Sequence, residues 1–103
     1  MCGRYQLTSP VSLISREFGL LKASVRITTG YNIAPSRSVA VVINDGGGRI
    51  IHSCMWGFIP SWAKDPSVGH HAFNARAETV ATRPIFRSAF RKHRCLILAD
   101  GFY

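Results

Sequence analysis

The sequence predicts a small α+β domain, and three observations carry that prediction. Two stretches place apolar residues at helical spacing, Val11, Ile14 and Phe18 in one and Phe86, Ala89 and Phe90 in the other. Between them, runs rich in β-branched residues at 39–43 and 49–56 flank Asp45-Gly46-Gly47-Gly48, the pattern of a β-hairpin. With 47% hydrophobic and 17% charged residues in 103, the chain has enough apolar material for one modest core and too much for disorder.

Met1-Cys2-Gly3-Arg4-Tyr5 leads into an extended segment through Leu7 and carries the most distinctive chemistry of the chain. Removal of a methionine ahead of a small residue leaves Cys2 N-terminal, with a free α-amine beside its thiol. These groups ordinarily titrate near about 7.7–8.0 and about 8.5, so both keep a reactive fraction at neutral pH. An aldehyde meets two nucleophiles there: the amine gives an imine and the thiol closes it into a five-membered ring. The plain alternative is a terminal cysteine with no role, since chain ends usually fray.

Ser9-Pro10 reads as a helix start, with Ser9 as N-cap and Pro10 in the first turn, and Gly19 as its stop. Arg16 and Glu17 lie off the apolar face. Tyr31-Asn32-Ile33-Ala34-Pro35-Ser36 reads as a loop, because Pro35 disfavours helix just before it. No Lys-Ser or Lys-Thr follows the glycines at 46–48, so a hairpin turn explains them better than a phosphate cradle. Cys54, within the second strand, is expected to be a small core residue.

The segment from Trp56 to Lys64 is aromatic and broken by Gly57 and Pro60. Each tryptophan suits either a core plug or a platform for bases; Trp62, in the rigid loop, is the one assigned to the surface. Residues 65–71 are polar and turn-like. Asn74 ends an extended piece and either caps a following helix or, if buried near Cys2, orients a reacting group through its amide. Arg76 is placed to hold a phosphate. Pro84 opens a second helix in which Arg83, Arg87 and Arg91 recur every fourth residue, a solvated face or a stripe for phosphates. Lys92, His93 and Arg94 suit its C-terminus. Cys95–Ala99 reads as a strand and Asp100-Gly101 as a hairpin signal. The return strand stops at Phe102-Tyr103, so the chain reads as a fragment.

Thirteen Lys and Arg against five acids give a formal charge of +8, and ten of the thirteen are arginine, the better residue for planar recognition of phosphate. That balance favours a polyanion, nucleic acid first and an anionic membrane second. Three widely spaced cysteines argue for a reducing compartment rather than a disulfide framework. Without a leader-like start or an apolar run of 18 residues, the expected location is cytoplasmic or nucleoid-associated, neither secreted nor membrane-spanning. His70-His71 stands apart from any ligand grammar, so no metal site is expected.

Five segments in order, Met1-Cys2-Gly3-Arg4-Tyr5, Tyr31-Asn32-Ile33-Ala34-Pro35, Trp56–Ala63, Phe73-Asn74-Ala75-Arg76-Ala77-Glu78-Thr79 and Arg94-Cys95-Leu96 with Ala99–Tyr103, resemble the SOS response-associated peptidase family, or SRAP domains. The resemblance implies that residues 1–103 are the N-terminal part of one such domain, with a mixed, strongly curved, barrel-like sheet and flanking helices. It also implies a basic groove for single-stranded DNA and no cofactor. Members sense abasic sites: the mature N-terminal cysteine, exposed by autoproteolysis, captures the ring-opened sugar as a thiazolidine crosslink.

On this chain Cys2 matches the nucleophile and Asn74 the asparagine that positions it. Arg4 and Arg76 match phosphate-contacting arginines, while Pro35 and Trp62 resemble the wall against which neighbouring bases pack. The family's acid-base glutamate directly after Gly-Phe-Tyr, and its later histidine, fall beyond Tyr103. Loss of such a general acid slows proton transfer by about 10² to 10⁴. Two other readings remain: a module that holds single-stranded DNA without chemistry, and a cysteine peptidase acting in trans, for which no histidine is evidently placed.

Overall fold

The computed structural model describes residues 2–20 and 26–103, so Met1 lies outside the described residues. The elements run β1 (Tyr5–Leu7), α1 (Val11–Phe18), β2 (Gly30–Ile33), β3 (Ser38–Asn44), β4 (Arg49–Met55), a 3₁₀ turn (Pro66–His70), α2 (Arg87–Lys92), β5 (Leu96–Ile97) and β6 (Gly101–Phe102). They form two antiparallel three-stranded sheets, ordered β2-β1-β6 and β4-β3-β5. The α+β class holds, and among the described residues the six strands do not close into a barrel.

Burial explains the arrangement. Val39, Ala40, Val41 and Val42 are all buried, as expected of a central strand covered on both faces, and β3 pairs with β4 on one side and β5 on the other. The predicted hairpin is present at full length, Ser38 opposite Met55 through Asn44 opposite Arg49. Tyr5, Leu7 and Ile33 from the other sheet, Ile14 from α1, and Trp56 and Leu98 join these valines in one core. Each fully buried Leu or Val contributes about 1.5–3 kcal/mol, so Leu7, Val39 and Val41 weigh heavily in a chain this small.

Several local expectations are corrected. Helix α1 starts at Val11 with Pro10 as its cap, because the Ser9 hydroxyl is drawn away to Asp100. Gly19 does stop the helix, at φ +61°. Residues 30–33 are strand rather than loop, pairing with β1 before Pro35 turns the chain. Cys54 is exposed, since it lies on an edge strand whose outer residues face solvent.

After Asn74 the chain makes successive turns instead of a helix, with N–H groups of Val80 and Arg83 donating to the carbonyls of Arg76 and Thr79. Helix α2 begins at Arg87, not Pro84, and Phe90 lies outward beneath the Arg94 guanidinium. Asp100-Gly101 makes no hairpin with β5: the chain crosses to the other sheet, where Tyr5 pairs with Phe102.

Candidate functional site

The site is built by two segments 72 residues apart. Cys2 enters β1 from the N-terminal side, half-buried against the core. Asn74 follows Phe73, whose carbonyl accepts a hydrogen bond from Trp56 Nε1 at 3.3 Å. The Trp56 ring sits edge-on to both Tyr5 (5.4 Å) and Phe73 (6.3 Å), so one buried indole fixes the strand leading from Cys2 and the segment carrying Asn74. The loop after Trp56 is held equally closely. Gly57 has φ +129°, and a Cβ there would fall 2.3 Å from the Gly69 carbonyl oxygen, so only glycine fits. Phe58 N–H then donates to the Ala72 carbonyl at 2.7 Å.

On this frame Cys2 and Asn74 bond reciprocally. The Cys2 N–H donates to Asn74 Oδ1 at 3.2 Å, and Asn74 Nδ2 donates to the Cys2 carbonyl at 2.9 Å. Both residues are part-buried, which strengthens the pair relative to a solvated one. Arg4, two residues on, is exposed and held by a 3.2 Å bond from Nη1 to Asn32 Oδ1. Asn32 was not singled out from the sequence. It lies within the Tyr31–Pro35 motif, but only the β1–β2 register shows that it meets Arg4. Tyr5 is buried with a hydroxyl lacking a partner, and burial first, with the nearby Cys2 second, pushes that phenol up from its ordinary range.

The other candidates lie at varying remove. Arg76 is exposed beyond Asn74, its guanidinium 3.8 Å from Glu78 in the one ion pair found among the described residues. An exposed pair of this kind contributes little, so Arg76 stays available to another anion. Pro35 is half-buried in a turn closed by Arg37 N–H to the Ala34 carbonyl, and Ser36 beside it has φ +72° and donates to the Trp56 carbonyl. Trp62 is 65% exposed, as expected for it, while Trp56 is core.

Around Asn74 opens a largely apolar hollow of about 360 Å³, with Trp56, Phe58, Phe73, Phe86, Cys95 and Ile97 among its walls. Trp62 walls a different hollow of about 330 Å³ that also touches Phe58. The structure thus joins Cys2 to Asn74 and Arg4 to Asn32 by hydrogen bonds, with Arg76 close by in sequence, and sets Pro35 and Trp62 on separate turns. Among the described residues no helix is long and apolar enough to cross a membrane, and no three His, Cys, Asp or Glu are grouped to hold a metal.

Chemically, an amide clasping both main-chain polar groups of Cys2 fixes the direction of its nitrogen and carbonyl. Two exposed cations are near in sequence, Arg4 two residues after Cys2 and Arg76 two residues after Asn74.

Residues 1–103 match the family model described as SOS response associated peptidase (SRAP). The chain is 40% identical over 105 residues to the abasic site processing protein YoqW of Bacillus subtilis, covering all of this chain and 47% of the relative. It is 31% identical over 126 residues to the abasic site processing protein HMCES of Rattus norvegicus, covering all of this chain and 36% of that protein. A crystal structure of a protein from Bordetella bronchiseptica superposes with a TM-score of 0.77 at 24% identity, over 99% of this chain and 50% of the other, a likeness of fold. The chain spans about half the length of the Bacillus relatives it matches and about a third of the Rattus norvegicus one.

Proposed function

Because the chain belongs to the SOS response-associated peptidase family, we propose that it senses abasic sites in single-stranded DNA and captures them covalently through Cys2 once Met1 is removed by autoproteolysis. In this reading the two sheets are parts of the curved, barrel-like sheet that the family resemblance implies, and the strand lies along its basic side.

The chemistry needs two steps. The ring-opened sugar aldehyde condenses with the Cys2 α-amine, releasing water and leaving a C=N bond. The thiol then adds across it: sulfur bonds to the former aldehyde carbon, the proton goes to nitrogen, and a five-membered thiazolidine results. Both nucleophiles belong to one residue, so the second step is intramolecular and gains from proximity.

The observation that carries the reading is the reciprocal Cys2–Asn74 pair. After loss of Met1 the same Asn74 oxygen faces the new amine, orienting its lone pair, while Nδ2 keeps the Cys2 carbonyl in place. Arg4 and Arg76 hold phosphates beside the lesion, and Pro35 and Trp62 pack against neighbouring bases. Asn32 restrains the Arg4 guanidinium, two residues after the nucleophile.

The test is direct. Incubation with single-stranded DNA bearing one abasic site gives a heat-stable gel shift, lost in Cys2→Ala and accompanied by a protein mass lacking one methionine. Salt-sensitive binding indifferent to Cys2, with no adduct at any time, rejects the covalent reading and leaves a non-covalent DNA-binding module.

A further inference from the structure

We propose that the apolar hollow at Asn74 binds the tail of a medium-chain aliphatic aldehyde, whose head group condenses with the aminothiol of mature Cys2. The inference rests on the Cys2 chemistry above and extends it from a lesion in DNA to a second class of substrate, a small apolar molecule.

The hollow of about 360 Å³ has no charged side chain in its walls. Trp56, Phe58, Phe73, Phe86 and Ile97 supply apolar surface, with the Phe58 and Phe86 ring centroids 5.7 Å apart. The Trp56 Nε1 proton is already committed to the Phe73 carbonyl. That leaves Asn74 as the one side-chain amide in the wall. Its Oδ1 accepts from the Cys2 nitrogen at 3.2 Å and its Nδ2 donates to the Cys2 carbonyl at 2.9 Å, so the second Nδ2 proton has no acceptor among the described residues. A ligand that fits these walls is apolar along its length and carries one acceptor at its end. A sugar phosphate has neither feature and loses solvation against such walls.

With the tail in the hollow, the aldehyde oxygen accepts the free Nδ2 proton at the same amide that holds the Cys2 nitrogen. The amine of mature Cys2 adds to the carbonyl carbon, water leaves, and a C=N bond forms. The thiol then adds to that carbon and its proton passes to nitrogen, so the protein gains the mass of the aldehyde less one water. No oxidant or cofactor enters the balance. Cys54 and Cys95 also line the hollow, but a thiol without a neighbouring amine stops at a reversible hemithioacetal. For Cys95, loss of solvent first and the nearby Cys54 second push the thiol up from its ordinary range, which lowers its thiolate fraction at neutral pH.

The experiment uses the full chain, trimmed by methionine aminopeptidase where it retains Met1, with propanal, butanal, pentanal and hexanal at equal subsaturating concentration. Adduct is followed by intact-protein mass spectrometry, and each rate is divided by that of the dipeptide Cys-Gly, which has no hollow. The quotient rises about two- to fourfold per added methylene, as burial of that group requires. Cys54→Phe, which puts a ring into the hollow from an exposed position on an edge strand, flattens the rise. Cys54→Ser, close in size to the parent residue, keeps it.

No adduct, or a quotient constant along the series, overturns the proposal. So does a larger quotient for glyceraldehyde 3-phosphate than for hexanal, which would place selectivity with the exposed arginines. Abasic single-stranded DNA run in parallel separates the two proposals. A DNA adduct with a flat aldehyde series rejects only the hollow, whereas a rising series without a DNA adduct rejects only the lesion chemistry.

Discussion

At the scale of single residues, the proposed chemistry turns on one asparagine whose neighbours in sequence do not name its partner, and which the family resemblance alone paired with Cys2. Nothing within ten residues of Asn74 distinguishes a helix cap from an orienting amide; the pairing with Cys2 spans 72 positions and exists only once β1 and the Phe73 segment dock on Trp56. Removing the amide leaves the Cys2 main chain without its clasp. Asn74→Ala is therefore expected to slow adduct formation about tenfold, the usual worth of a part-buried hydrogen bond or two. Asn74→Asp has a different signature. A carboxylate beside the N-terminal amine favours its ammonium form, so the rise of adduct rate with pH moves to higher pH. Single-turnover rates across pH distinguish the two variants, and an alanine variant as fast as the parent would remove Asn74 from the mechanism. Cys54 shows the converse limit: a cysteine inside an apolar run reads as core, yet alternation cannot say which strand of a sheet becomes the edge.

At the scale of elements, the helices and the hairpin were legible because their signals are local, and the junctions were not. Asp100 shows why. Followed by Gly101 it has the form of a hairpin turn, but its carboxylate instead accepts from Thr8 N–H at 2.6 Å, Ser9 N–H at 2.9 Å and the hydroxyls of Thr8 and Ser9. This clasp closes the β1–α1 turn against the strand crossover, and it is why Ser9 does not cap α1. The bonds from the Ser9 side chain and the Thr8 and Ser9 main chain hold the Asp100 carboxyl at about 2, below the ordinary 3.8. A folded-state value below the unfolded one means the stabilisation is complete above about pH 4 and fades as pH falls towards 2. Chemical denaturation at stepped pH should show the parent losing stability across that window. Asp100→Asn should be weaker at neutral pH and lack that part of the slope. Asp65, also lowered by its bonds to Ser67, contributes equally to both proteins and cancels in the comparison. Equal slopes in the two would show that the clasp does not stabilise the fold.

At the scale of the whole molecule, the charge was legible, because it is a sum over residues, and the sheet pairing was not. The partners of β5 and β6 are two-residue ladders set by tertiary packing, with no pattern of their own. These strands and their surroundings leave Leu96, Ile97, Phe102 and Tyr103 from 48% to 78% exposed, beside strand edges unpaired among the described residues. Apolar side chains at open edges favour association, while a formal charge of +8 opposes it. Salt decides between them, because screening shortens the reach of that repulsion from about 30 Å at 0.01 M to about 3 Å at 1 M and leaves burial of apolar surface intact. Self-association is therefore expected to grow with salt, whereas binding to DNA weakens with it. Sedimentation velocity over that range should show a monomer at low salt and larger species at high salt, and Leu96→Lys should suppress the shift by placing a charge on the exposed strand. A protein that stays monomeric throughout would mean that these side chains are covered in solution.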